Sequence, residues 1–340
     1  MSIASSDTYR IPEMLKNWPW PRRINPHFKG ASSASAAWLE QFKPESPAVQ
    51  KTFATDNSHG LLSSLAYPTV DPKTLRVACD FLAVLFIIDD STDPETSSEV
   101  GSVVERIKDV FRSPLQVRQE DIVSEVTRQF WVRAKEISST AQQERFIKSF
   151  SAYLDAVVVE ARDRDIHHIP DFDEYLTVRR NTGAVRPSFW IAEGAAGVPE
   201  HVLEHETLAT LTTCAVDIIS ISNDMLSYNR EQSRGSLHNM VAIAMKRLDL
   251  SLQEAMDWTS TRHDALVSKF LNSLTEVPSW GKEIDARVTT YIDGLGYWVR
   301  ANEAWSFEGP RYFGNDGAEI QRSRLVKLIP AGRVVLDEVD

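Results

Sequence analysis

"NDMLSYNRE", Asn223 to Glu231, stands at the end of an apolar stretch and puts oxygen-bearing side chains where its neighbours carry Ile, Ala and Leu. Asn223, Ser227 and Glu231 are spaced by four and four, so on a helix they form one stripe, with Asp224 beside the first. An amide, a hydroxyl and a carboxylate make an all-oxygen site with a single formal negative charge. That donor set suits a hard divalent cation already shared with an anionic ligand. Arg230 adjoins the stripe and can supply positive charge. The competing reading is an exposed polar helix end that leads into "QSRG".

Outward from this stretch the pattern is helical almost throughout. Segments 74–90, 99–112, 120–137, 141–163, 171–195, 200–230, 236–247, 251–275 and 281–304 carry apolar residues at three-to-four spacing, and alternating strand patterns are scarce. Pro68, Pro72, Pro114, Pro170, Pro199, Pro278 and Pro310 fall between or at the edges of these segments. With no fixed-period repeat and no Gly/Ser linker, residues 1–340 read as a single all-α domain. Residues 1–30 look irregular, as a surface strap or as the cover of a site, and a tail at 327–340 follows the last helix.

Composition narrows the function classes. The chain has 340 residues, 42% of them hydrophobic, enough for a large core. The longest apolar run, "FLAVLFII" at Phe81–Ile88, is far short of the roughly 20 residues that span a bilayer. The start, "MSIASSDTYRIPEML", lacks the basic and apolar blocks of a secretory signal, so the expected address is the cytosol. Cys79 and Cys214, both in apolar helical contexts, exclude a disulfide framework and a Cys-based zinc site. A net charge of −11 argues against a nucleic-acid surface. Any phosphorylated ligand must then find its positive charge locally. A homodimer is compatible with all of this.

Two further polar islands matter. In "FIIDDSTDPE", Asp89, Asp90 and Asp93 crowd the C-terminal end of an apolar helix, where the macrodipole disfavours carboxylates. Asp89 and Asp93 share a face that Phe81, Leu82 and Leu85 continue inward, which suggests a cation site at the mouth of an apolar pocket. Aspartates capping the next helix from a solvated loop are the alternative. Near the C-terminus, "NEAWSFEGPRYFG" sets Arg311 and Tyr312 after a Gly-Pro break, with Asn302 and Trp305 before it.

"DDSTD" at 89–93, "NDMLSYNRE" at 223–231 and "RY" at 311–312, in that order, resemble the class I terpene synthases of fungi and bacteria, and the resemblance covers essentially the whole chain. The second motif matches N-D-x-x-S-x-x-(K/R)-E at every fixed position. The resemblance implies a helical bundle around a central apolar cavity and a Mg²⁺ cluster, three ions with Mn²⁺ as a substitute, held by Asp89, Asp93, Asn223, Ser227 and Glu231. It implies a prenyl diphosphate as substrate. "YLTVRRNTGAVRPSFW" is similar to the family's R-x-x-x-G helix break, which makes Arg179 the diphosphate sensor, Thr182 the linker and Gly183 the residue whose carbonyl faces the substrate. Thr182 departs from the Asp common at the linker, and Arg180 is a rival sensor.

The implied chemistry is ionisation of an allylic diphosphate, with Arg179, Arg230 and Arg311 beside Tyr312 as the local positive charge. An apolar, aromatic wall must then shelter the cation from water. Phe81, Phe86, Phe189, Trp190, Trp298, Trp305 and Tyr312 are the available rings; Phe81 stands out by its helix face, and Trp305 by the family's N-x-x-W-S pattern. A chain-elongating prenyl diphosphate synthase would resemble two aspartate-rich motifs, and only one is present. "HVLEH" lacks the H-E-x-x-H order of a zinc site, and no D-x-D-D motif supports protonation-initiated cyclisation. A chain of this length most resembles sesquiterpene synthases acting on farnesyl diphosphate. Geranyl diphosphate, an acyclic alcohol product, and a non-catalytic helical scaffold remain as alternatives.

Overall fold

A computed structural model describes residues 7–42, 58–112 and 122–330. Its helices are α1 (Phe28–Leu39), α2 (Ser58–Ala66), α3 (Pro72–Thr92), α4 (Ser97–Arg112), α5 (Ile122–Lys135), α6 (Thr140–Asp165), α7 (Phe172–Thr182), α8 (Val185–Ser188), α9 (Trp190–Ala196), α10 (Glu200–Leu203), α11 (Glu206–Ser233), α12 (Met240–Leu248), α13 (Leu252–Ser273), α14 (Lys282–Glu308), α15 (Pro310–Phe313) and α16 (Gly317–Ser323). The starts of the long helices are written in local chemistry. Asp71 accepts from the Lys73 and Thr74 N–H groups ahead of Pro72, and α6, α7 and α13 open on reciprocal capping boxes, Ser139/Gln142, Asp171/Glu174 and Ser251/Glu254. Between α7 and α8 the chain breaks at Gly183–Ala184, where Ala184 takes a left-handed φ of 52°.

One continuous apolar cluster runs from Tyr9 to Val326. α11 lies inside it, packed against α12, α13 and α14, which explains why most of its residues up to Leu226 are buried, Asp217 and Asp224 included. Phe81 on α3, Phe130 on α5, and Phe146 and Phe150 on α6 form an aromatic knot with centroids 5.3–5.9 Å apart. Such ring pairs add about 0.5–1.5 kcal/mol each beyond their buried area. Cys79 and Cys214 are buried free thiols. Among the described residues no helix is long and apolar enough to cross a membrane.

The N-terminal segment is irregular from residue 11 to residue 27, as expected, and regular only at its edges. Thr8–Arg10 pairs antiparallel with Leu325–Lys327, and α1 begins at Phe28. Between them Ile11, Met14, Leu15 and Trp18 are buried, the Trp18 indole donates to the Gly296 carbonyl at 2.9 Å, and the Trp20 indole donates to Asp293 at 2.8 Å. The segment is a strap laid along α13 and α14. Residues 1–6 of that segment, the break at Pro114, and 331–340 of the expected tail lie outside the described residues.

Candidate active site

The three islands meet. Asp89 and Asp90 sit in the last turn of α3, and Asp93 follows as its C-cap, its N–H bonded to the Asp89 carbonyl at 3.0 Å. Across from them α11 carries Asn223, Ser227 and Glu231. The Gly-Pro break after α14 turns the chain into α15, whose first residues touch both helices. Arg311 Nη2 donates to Asp89 Oδ2 at 2.8 Å, and the Tyr312 hydroxyl accepts from Asn223 Nδ2 at 2.8 Å. Arg230 joins through Nη1, which donates to the Arg311 carbonyl at 3.3 Å.

The structure separates the two rival arginines. Arg179 points to α11, its Nε donating to Asp224 Oδ1 at 2.9 Å and its Nη2 to Asn223 Oδ1 at 2.8 Å. Arg180 turns away into a bidentate pair with Asp217, at 2.7 and 2.8 Å, and its side chain is 43% exposed against 13% for Arg179. Thr182 lines a recess of about 30 Å³ together with Asp89, Asp93, Tyr153, Glu160 and Arg164. At Gly183 an added Cβ would lie 3.3 Å from both the Arg179 carbonyl and Ser220 Oγ, so the break packs closely on α11.

Like charges crowd at each end of this site. The protein around it, with repulsion from Asp89 and Glu160, raises the Asp93 carboxyl above the usual carboxylate range, although the residue stands exposed at the rim of the recess. Asp89, half exposed, is raised in the same way against the pull of Arg311, and desolvation raises the partly buried Glu160 and Glu231. On the other side, burial followed by repulsion from Arg311 and Arg234 lowers the Arg230 guanidinium to about 10. A cation among the carboxylates and an anion among the guanidiniums would relieve both.

The residues present fit a hard divalent cation. Their donors are oxygens throughout, and Ser227 Oγ is buried with no hydrogen-bond partner. Among the described residues no three His, Cys, Asp or Glu side chains converge as a preformed cage. The donors are instead divided between α3 and α11, and on α11 two of them are an amide and a hydroxyl.

The aromatic residues divide. Phe86 stacks on Trp305 with centroids 5.8 Å apart, Tyr312 meets Trp305 edge-on at 5.5 Å, and the Arg311 guanidinium lies 4.8 Å from the Phe86 ring centre. The Trp305 indole donates to the Ser58 carbonyl at 2.9 Å. Phe81 is not part of this group and belongs to the knot with Phe130, Phe146 and Phe150. An interval of eight residues turns a helix about 80° past two full turns, so Phe81 leaves the Asp89 face that Leu82 and Leu85 keep. Trp298 packs edge-on to Tyr67 and Phe189, and Trp190 packs on Phe146.

Sequence reasoning missed Glu160, Tyr175 and Asn239. Tyr175 was within reach, being one helical turn before Arg179; its hydroxyl donates to Asp224. Nothing local marks Glu160.

Residues 80–269 match the family model for terpene synthase family 2, C-terminal metal binding. The chain is 41% identical to a delta(6)-protoilludene synthase of Stereum hirsutum (strain FP-91666), over 96% of this chain and 94% of that one. It is 41% identical to the delta(6)-protoilludene synthase of Armillaria gallica, over 94% and 93%. Sesquiterpene synthase 14 of Postia placenta (strain ATCC 44394 / Madison 698-R) is 39% identical, over 94% and 92%. Among solved structures, germacradien-4-ol synthase from Streptomyces citricolor superposes with a TM-score of 0.74 at 23% identity, covering 88% of this chain and 99% of that one. Hedycaryol synthase superposes with a TM-score of 0.71 at 21% identity, covering 87% and 98%. These two likenesses show the fold, an all-α terpenoid synthase bundle. The chain belongs to the class I terpene synthases, an enzyme among the fungal sesquiterpene synthases with the family's metal-binding domain.

Proposed function

We propose that this enzyme ionises farnesyl diphosphate with the help of three Mg²⁺ ions, Mn²⁺ serving in their place, and cyclises the cation to a sesquiterpene. Delta(6)-protoilludene is the product to look for first, because relatives along nearly the whole chain carry that name. The observation that carries the reading is the Arg311–Tyr312 turn, one residue on Asp89 and the next on Asn223, which brings the two oxygen motifs to opposite sides of one site. In this reading the chain acts as one domain, since residues from 89 to 312 build that site.

Asp89 and Asp93 would hold metal on one side, and Asn223, Ser227 and Glu231 on the other. When bound, the ions neutralise charge on the departing diphosphate as Lewis acids. The chain's own groups do the rest. Arg179, Arg230 and Arg311 donate hydrogen bonds to the leaving group as its charge grows, joined by the Tyr312 hydroxyl. Asp224 fixes the plane of the Arg179 fork through Nε. Thr182 and Gly183 form the helix break behind the sensor and bring backbone toward the substrate. Phe86 and Trp305 present ring faces to the cation and keep water from it. The bond from the Trp305 indole to Ser58 holds that ring in one orientation. Phe81, by its packing, supports the wall from the core.

Incubation with the C10, C15 and C20 prenyl diphosphates plus Mg²⁺, followed by gas chromatography with mass detection, tests the assignment. A cyclic C15 hydrocarbon from farnesyl diphosphate is expected. A C10 product alone, or only acyclic alcohols, would replace it with the monoterpene or alcohol-forming reading.

A further inference from the structure

Asn239, in "SLHNM", stands eight residues beyond Glu231, outside the three motifs, and is completely buried. Its amide is fully used. Nδ2 donates to Glu231 Oε2 at 2.8 Å and to the Asp224 carbonyl at 2.8 Å, while Oδ1 caps α12 by accepting from the Val241 N–H at 2.8 Å. Beside it the Met240 N–H donates to Asp224 Oδ2 at 3.0 Å, and the Ser236 N–H donates to the Glu231 carbonyl at 3.1 Å. The turn from Ser236 to Met240 thus buckles onto α11 at both ends of its oxygen stripe.

From this geometry we infer that Asn239 is a positioning residue for Glu231. The inference rests on the metal-site reading above: Asn239 holds Oε2 so that the other carboxylate oxygen is turned to the metal. A buried glutamate has several rotamers, and a neutral donor on one oxygen selects among them without neutralising the charge the metal needs. An amide is the side chain for this post. Only Asn among the good N-cap residues combines the capping oxygen with a donor pair on the same planar group. The carboxylate of Asp would cap α12 equally well but would set an oxygen against Glu231 Oε2, and Ser would cap but fall short of it.

Asn239→Asp and Asn239→Ser are therefore paired tests, both preserving the helix cap. Two readouts apply: the Mg²⁺ concentration giving half-maximal turnover, and the rise in melting temperature when Mg²⁺ and inorganic diphosphate are added to the purified protein. Both variants should remain folded, melting below the wild type because the buried bonds to Glu231 and the Asp224 carbonyl are lost, and should also lose most of the ligand-induced rise and need about 10- to 100-fold more Mg²⁺, the range in which hydrogen-bond partners of metal ligands act. A normal Mg²⁺ requirement and a normal rise in both variants would overturn the inference, as would loss of the fold in both. If the wild type itself shows no rise and no Mg²⁺ requirement, the metal-site reading fails and takes the inference with it.

Discussion

Arg179 and Arg180 are adjacent and chemically identical, so Lys at each compares two environments with one change. At Arg179 the guanidinium is a fork, with Nε on Asp224 and Nη2 on Asn223, and its side chain is 13% exposed. A lysine ammonium keeps the charge but cannot reach both partners in one plane. The lost bond to Asp224, a hydrogen bond to a charged group, is worth about 1.5–3 kcal/mol, softened because Tyr175 and the Met240 N–H still serve that carboxylate. The larger loss falls on turnover. Removing a positioned donor from a developing anion costs on the order of 10²–10³ in rate. At Arg180 the side chain is 43% exposed and, among the described residues, bonded to Asp217 and to none of the site residues, so Lys keeps a charge beside Asp217 and turnover should change little. Diphosphate release under saturating Mg²⁺, with thermal melting as the control for folding, should show Arg179→Lys far below Arg180→Lys. The reverse ranking, or equal losses, would remove Arg179 from the sensor position.

Other outcomes follow from the same structure. Excess EDTA should abolish turnover, and Ca²⁺, larger than Mg²⁺, should restore it less well than Mn²⁺ in a metal-replacement series. Trp305→Phe keeps a ring against Phe86 but loses the bond to Ser58, and product analysis should show more acyclic material at retained diphosphate release; an unchanged profile would place Trp305 outside the wall. Gly296→Ala drives a Cβ to 2.1 Å from the Trp20 ring, so the strap must lift, at about 1–3 kcal/mol in urea denaturation. Burial lowers His59 to about 4, below the ordinary 6.5. The unfolded chain then binds the proton that the native state refuses, so stability is present above about pH 6.5 and is lost as pH falls toward 4, by on the order of 3 kcal/mol. His59→Gln should flatten that slope in denaturation curves taken across the range.

The long helices are legible because their apolar periodicity and their caps agree. Asp71-Pro72 and Ser139…Gln142 open helices where the sequence places them. α1 escapes because "FKGASSASAAWL" is mostly Ala and Ser, which give little contrast between faces, although Ala31, Ser35 and Trp38 are buried. The pairing of Thr8–Arg10 with Leu325–Lys327 joins the two ends of the described chain, and three-residue strands leave no alternation to detect. The motifs of the site are legible because oxygen side chains at spacing four are conspicuous on apolar helices. Glu160 and Asn239 are single residues that gain meaning only from what the fold sets beside them, Asp93 and Glu231 respectively. Following a helix face over eight residues puts Phe81 on the wrong side, because at that interval the face has already rotated away.

The claim that the two motifs form a single metal and diphosphate site is tested most directly by a crystal structure of the protein grown with Mg²⁺ and inorganic diphosphate. The account predicts metal density on Asp89 and Asp93, further metal density on Asn223, Ser227 and Glu231, and a diphosphate between them in contact with Arg179, Arg230, Arg311 and Tyr312. Diphosphate bound elsewhere, or an α11 stripe without metal while the Asp89 side is loaded, would contradict it.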